Sequence, residues 1–307
     1  MPFGSKASQA RRAALAAIAS ETVSTTPSIC ASLPSLSPTS AVSFSLPNLP
    51  PLSASSSPSF PPAPIRVLPS DSFEAAISMP STVLGTETLE SSATDPSKLG
   101  PLASRVAVLN MASEKNPGGG WLRGASAQEE ALCFRSTLAS SLEKRFYPIA
   151  PRDGLYTKDV VIFRTAAADG HALMVPGTEP EKLPVVSVLS VAGIRKPETK
   201  KEGGRVVYKE EGDRVLMKDK MRLCLRMAAV GGHTMVVMGA LGCGAFRNPV
   251  EEVARCWGEV LGEEEFGGWF KEVWFAVYDR RGEGNLEVFE EVLEGRKVGE
   301  RCVVNMH

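Results

Sequence analysis

Two adjacent acids, Glu129 and Glu130, follow a run of three glycines, Gly118 to Gly120, after eight intervening residues. Carboxylates can give and take protons, so such a pair suits general acid–base chemistry on a bound substrate. Three consecutive glycines cost more backbone entropy than a turn requires. They let the main chain approach a ligand closely, with amide N–H groups free to face it; the other reading is a flexible loop. A second glycine cluster, GALGCGAF over residues 239–246, precedes a helix expected from Asn248. Converging loop amides and a helix N-terminus make a cradle for a pyrophosphate. Its G-x-x-G-x-G spacing is neither the dinucleotide fingerprint nor a phosphate loop ending in Gly-Lys-Ser/Thr. Cys243 in this loop invites a nucleophile reading. Leu241 occupies the position where a nucleophile elbow needs its first glycine, and neither His171 nor His233 can be placed beside the thiol, so a small loop residue is the better reading.

These loops need rigid elements behind them. Arg105–Leu109 (RVAVL) reads as a strand leading into the first loop, and Ser126–Glu143 as the helix after it. Ser126 followed three positions later by Glu129 forms a capping box, which gives Glu129 a structural duty. Glu130 points about 100° further round the helix. It is then either a solvated first-turn acid favoured by the helix dipole or a group aimed at chemistry. Ile65–Leu68 is expected to be a strand, with Asp71 capping a helix through Ile77. Val160–Phe163, Pro184–Val191, Thr234–Met238 and Val273–Val277 have strand length and apolarity; Asn248–Leu261 and Asn285–Leu293 read as helices. Alternating strands and helices predict an α/β layered domain. The stretch Arg195–Asp213 alternates acids and bases and reads as a solvated surface excursion.

Three regions are expected: a helical segment over 1–21, a disordered insertion over 22–64 and a main domain over 65–307. Ala14, Leu15, Ile18 and Ala19 share one helical face. Lys6, Arg11 and Arg12 without an acid resemble a mitochondrial transit peptide, but the helical pattern is the stronger signal. From Thr22 to Ile65 there is no charged residue, and ten of the chain's 23 prolines fall there, which predicts too little apolar burial to offset ordering entropy.

The 307 residues are 43% hydrophobic and 22% charged, ordinary for a soluble protein. The net charge of −1 gives no reason to expect binding to nucleic acid or to an anionic membrane. No apolar run approaches the ~20 residues that span a bilayer. Cysteines at 30, 133, 224, 243, 256 and 302 form no CxxC pair, and histidines at 171, 233 and 307 show no zinc spacing. A metal site is not expected, and reducing cytoplasmic or nuclear surroundings are.

Gly118-Gly119-Gly120 and Gln128-Glu129-Glu130, with VLNMASEKNP before and ALCFRSTL after, resemble the GGG…QEE motif of microbial-type poly(ADP-ribose) glycohydrolases. Weaker resemblance runs through the N-terminal helix and residues 65–295. The resemblance implies a macrodomain-like three-layer α/β/α sandwich with a mixed sheet and an ADP-ribose cleft at the strand ends. It implies hydrolysis of ribose–ribose O-glycosidic bonds, with release of ADP-ribose from the chain terminus. Glu130 would protonate the departing ribose oxygen, and Glu129 would help to hold ribose hydroxyls. Binding would fall to Asn110, Asn116, Gly118, Gly119, Gly120 and Gln128 in the first loop. In the second, Gly242, Cys243, Gly244 and Ala245 would hold the diphosphate, and Phe246 would pack on a ribose or anchor the loop in the core. The implied partners are ADP-ribose polymers and ADP-ribosylated proteins, met by a monomer without cofactor or metal. Two other functions share this cleft: removal of mono-ADP-ribose from protein or nucleic acid, and binding without hydrolysis.

Overall fold

The structure, a computed structural model, describes residues 6–84, 89–279 and 282–300; Cys302 and His307 lie outside them. Helix α1 (Lys6–Ser32) is followed by strands β1 (Val42–Ser45) and β2 (Ile65–Leu68), helices α2 (Ser72–Leu84) and α3 (Leu89–Ser92), and strand β3 (Val106–Ala112). Then come α4 (Gln128–Arg135), β4 (Asp153–Val161), β5 (Val185–Ala192), β6 (Thr199–Glu202), β7 (Arg205–Tyr208) and α5 (Glu211–Val230). The chain continues with β8 (Met235–Met238), α6 (Val250–Leu261), β9 (Glu272–Ala276) and α7 (Asn285–Leu293).

Seven strands form one mixed sheet in the order β1-β4-β5-β3-β8-β9-β2. The five from β5 to β2 run parallel, while β4 is antiparallel to both its neighbours. Side chains alternate across a strand, and β3 shows the consequence. Ala107 and Leu109 join a core under α5, α6 and α7, whereas Val106 and Val108 join a second core under α1, α2 and α4. The result is the expected α/β/α sandwich, with the parallel strands ending on one shared edge.

The expected disorder over 22–64 is not what the chain forms. Helix α1 continues to Ser32, with Thr22, Thr26 and Ile29 buried, and β1 pairs with β4 from Val42↔Tyr156 to Ser45↔Asp153. Leu33, Ala41, Leu49, Phe60 and Ala63 are buried as well. The segment has no charge of its own, but charged side chains of the body reach its backbone. Ser37 N–H donates to Asp159 (3.1 Å), Leu52 N–H donates to Glu265 (3.1 Å), and Arg226 donates to the Leu49 carbonyl (2.8 Å). Apolar residues spaced widely among serines and prolines therefore find a core that composition alone does not reveal.

Other boundaries shift. The helix expected over Ser126–Glu143 is only Gln128–Arg135, because Ser136 turns extended and its hydroxyl donates back to the Leu132 carbonyl (2.8 Å). Strand β4 lies earlier than the expected Val160–Phe163. The charged stretch after Arg195 is a hairpin, β6–β7, running into α5, a 20-residue helix not anticipated from sequence. Asp71 does cap α2: its Oδ1 accepts from the amides of Phe73 (2.9 Å) and Glu74 (3.3 Å).

Candidate active site

The loops leaving the parallel strands bring the two glycine clusters to one edge of the sheet. Strand β3 reaches it first. Asn110 is fully buried and donates from Nδ2 to Ser190 Oγ (3.0 Å), its register partner on β5. Its Oδ1 has no hydrogen-bond partner among the described residues. Gln128 pins the first turn of α4 against β3: Oε1 accepts from Met111 N–H (2.9 Å), while Nε2 donates to the Leu109 carbonyl (2.7 Å) and Ser72 Oγ (3.2 Å). Its amide is thus already engaged, and what it does here is fix the helix that carries the acids.

Both acids are buried. The capping duty expected of Glu129 belongs instead to Glu130, because the N-cap is Ala127, one residue later than the expected Ser126. Glu130 Oε2 accepts from the Ala127 amide (2.9 Å) and Oε1 from the Gly120 amide (2.8 Å). Glu129 Oε2 accepts from the Ser113 amide (2.8 Å), and Oε1 is buried without a partner among the described residues. Burial pushes the Glu129 carboxyl up to about 8; the neighbouring charge of Glu130 adds to this, and the Ser113 amide opposes it.

Why three glycines precede this pair follows from geometry. Gly118 and Gly119 have φ of +67° and +61°, where L side chains are strained. A Cβ at Gly119 would lie 2.5 Å from Glu130 Oε1 and 3.0 Å from Glu129 Oε2. The loop therefore folds directly onto both carboxylates. Its amides face the acids and the loop itself rather than open solvent: Gly119 N–H donates to the Asn116 carbonyl (2.9 Å) and Gly120 N–H to Glu130. The expectation of triplet amides free for a ligand is corrected to this extent. Asn116 is exposed at the start of the loop. Trp121, just after the triplet, is buried edge-on to Phe134 of α4 and anchors the loop from behind.

The second loop behaves differently. Gly242 (φ +76°) lets Asn248 close the loop, donating from Nδ2 to the carbonyls of Gly242 (3.0 Å) and Ile194 (2.7 Å). Internal amide bonds come from Leu241, Cys243, Arg247 and Asn248. Those of Gly242, Gly244, Ala245 and Phe246 donate to no protein acceptor among the described residues. Gly244 and Ala245 are exposed, and a Cβ at Gly244 would meet nothing within 4 Å. Unpaired amides on an open glycine loop are the requirement for holding a phosphate. Phe246 is half-buried, with its ring under the Arg195 guanidinium (5.4 Å). Cys243 is buried and its thiol is pushed up by burial, away from nucleophilic form. Neither described histidine serves it. His233 bonds Tyr156 Oη (2.8 Å) and the Arg105 carbonyl (2.9 Å), while His171 packs on Phe134.

Two residues at this edge carried no sequence signal. Arg195, from a stretch read as mere surface, pairs with Glu114 of the first loop (3.6 Å) while covering Phe246 of the second. Tyr147 places a buried hydroxyl without a partner among the described residues; burial, and then the charge of Glu129, push its phenol up. Only the three-dimensional closeness of distant segments reveals either. Among the described residues there is no group of three or more His, Cys, Asp or Glu side chains suited to a metal ion, and no helix is long and apolar enough to cross a membrane.

Residues 12–166 match the family described as microbial-type PARG, catalytic domain, where PARG is poly(ADP-ribose) glycohydrolase. Among solved structures, the chain is similar to PARG from Thermomonospora curvata: 25% identity, TM-score 0.68, covering 92% of this chain and 98% of that one. The same protein bound to the inhibitor ADP-HPD aligns with a TM-score of 0.64, at the same identity and coverage. PARG from Deinococcus radiodurans in complex with ADP-ribose aligns at 26% identity and TM-score 0.61, covering 82% of this chain and 93% of that one. No curated protein sequence matches the chain.

Proposed function

The chain belongs to the microbial-type poly(ADP-ribose) glycohydrolase family, and on that premise we propose that it hydrolyses ribose–ribose bonds of poly(ADP-ribose) with Glu130 as the proton donor. The observation that carries this reading is the grip of the glycine loop on two buried carboxylates at the edge where the parallel strands end.

Breaking a glycosidic bond passes through an oxocarbenium-like state, and the departing oxygen needs a proton. Both carboxylates approach one point, the Cβ position of Gly119, so they lie on the same side of whatever sugar enters. Mechanisms in which two carboxylates flank the sugar from opposite faces fit this poorly. In the proposed sequence Glu130 gives its proton to the leaving ribose oxygen as the C–O bond breaks. It then takes a proton from the water that adds to the anomeric carbon, which restores the acid. Two backbone amides fix the carboxyl in place, the pre-organisation such a transfer needs. Glu129, kept protonated near neutral pH by burial, can donate from its unpartnered oxygen to a ribose hydroxyl. Asn110 lies beside it. The unpaired amides of Gly242, Gly244, Ala245 and Phe246 receive the diphosphate, and Phe246 supplies an apolar face for a ribose.

The test is product analysis after the purified chain meets poly(ADP-ribose). Free ADP-ribose supports the reading. Tight binding of ADP-ribose without release would make the chain a binding module, and release from mono-ADP-ribosylated protein alone would reassign the bond that is cut.

A further inference from the structure

Four described residues other than glycine have positive φ, and two of them are cations meeting at one point on the cleft rim. Lys196 (φ +51°) donates its amide to the Phe246 carbonyl (2.8 Å), and Arg247 (φ +59°) is the next residue along that peptide group. Non-glycine residues in the left-handed region are uncommon, and such strain concentrates at functional sites. Both side chains are exposed, and neither pairs with a carboxylate among the described residues. The nearby acids are already committed: Glu114 to Arg195, Glu198 to Lys209 (2.6 Å), and Glu251 to Arg255 (2.8 Å) and Arg205 (3.7 Å). Arg195 covers the Phe246 ring beside them, so three cations sit on the two segments that meet at Phe246.

Resting on the glycohydrolase reading above, we propose that Lys196 and Arg247, beside Arg195, form a second anion subsite that grips the phosphates of the polymer beyond the bond being cut. Its position follows from a chain of contacts. Glu129 holds the Ser113 amide, the adjacent Glu114 pairs with Arg195, and Arg195 covers Phe246, whose carbonyl holds Lys196. These contacts link the loop that carries Glu114 to the two cations, and in this proposal the remainder of the polymer leaves the cleft along them. The diphosphate inside the cleft has the unpaired loop amides to itself. With a net charge of −1 the protein has no global field to hold a polyanion, so capture of a long chain must come from a local cluster. This subsite would favour polymer over a single ADP-ribose unit without touching the bond that breaks.

Lys196→Asn together with Arg247→Asn removes both charges while keeping a residue type that tolerates the left-handed backbone. Binding of labelled poly(ADP-ribose) and of ADP-ribose is measured at 50 and 200 mM salt, in a Glu130→Gln background first checked to leave polymer intact. Each cation that neutralises a phosphate on a single-stranded polyanion contributes about 0.7 to the logarithmic salt slope. The double substitution is expected to weaken polymer binding at least about tenfold at 50 mM salt and to lower the slope by roughly 1.4, with ADP-ribose affinity unchanged. Unchanged polymer affinity and slope would overturn the subsite, as would an equal loss for ADP-ribose, which would place both cations on the unit inside the cleft. Failure of the glycohydrolase reading shows separately, as a wild-type chain that binds polymer by this route and releases no product.

Discussion

Replacing Gly119 with alanine separates a loop that merely turns from one shaped to hold carboxylates. Two costs arise. Alanine at φ +61° pays the left-handed penalty of ~1–2 kcal/mol. Its methyl carbon would also lie 2.5 Å from Glu130 Oε1, and relief to an ordinary carbon–oxygen contact needs a movement of about 1 Å. The loop and the carboxylate must part by that distance, which breaks the Gly120 bond to Glu130. A misplacement of about 1 Å at a reacting group costs about 100-fold in rate. Gly170→Ala is the matched control, with φ +77° and nothing within 4 Å of the added carbon. Both variants should melt a few degrees lower, at about 2–4 °C per kcal/mol for a chain of this size. Only Gly119→Ala should lose about 100-fold in kcat for ADP-ribose release. If it keeps kcat within about threefold of the Gly170→Ala control, the carboxylates do not depend on the glycine loop, and the reasoning from contact to catalysis fails.

Two further outcomes follow from buried groups. Burial lifts Glu129 from its ordinary 4.5 to about 8, so the folded chain holds this proton more tightly than the unfolded one. Its contribution is fully present below about pH 4.5 and is lost as pH rises through about 8. Glu129→Gln should accordingly be more stable than wild type by up to roughly 4 kcal/mol in urea unfolding at pH 8.5, and nearly equal at pH 4.5; a difference independent of pH would contradict the buried-proton picture. Gly124 (φ +69°) lies against α1, and a Cβ there would overlap the Arg12 carbonyl. Gly124→Ala should therefore push α1 off the loop that follows the glycine triplet, costing ~3 kcal/mol or more; a melting temperature within 2 °C of wild type, judged against the scale for domains of this size, would show that α1 is not seated as described.

How much of this was legible in the sequence depended on whether a signal was local. RVAVL announces β3 because a short apolar run is a local pattern, and α6 and α7 follow from helical spacing in the same way. The two glycine clusters mark their loops because backbone conformation leaves its trace at the residue concerned. The packing of the first triplet on the acids was not legible, since nothing at Gly119 itself reveals that glutamates ten and eleven residues on will crowd it. The span 22–64 fails for a related reason: its buried apolar residues are sparse, and its polar partners, Asp159, Arg226 and Glu265, lie more than a hundred residues away. Helix α5 was hidden behind its charged first turns, although Met217, Met221, Cys224, Leu225 and Ala228 carry a helical spacing. Arg195 belongs to the same class, a surface cation in sequence and a bridge between two loops in the fold.

In the proposed reaction Glu130 supplies the proton. Glu130→Gln keeps the size and an acceptor oxygen for one of the two amides, that of Gly120 or Ala127, but it cannot donate as an acid. Turnover of poly(ADP-ribose) is measured beside ADP-ribose binding for this variant and the wild type. ADP-ribose release is expected to fall at least ~100-fold, the low end of what positioned acid–base groups contribute, with binding retained. Near-normal release by the variant would contradict it and move the proton to another group.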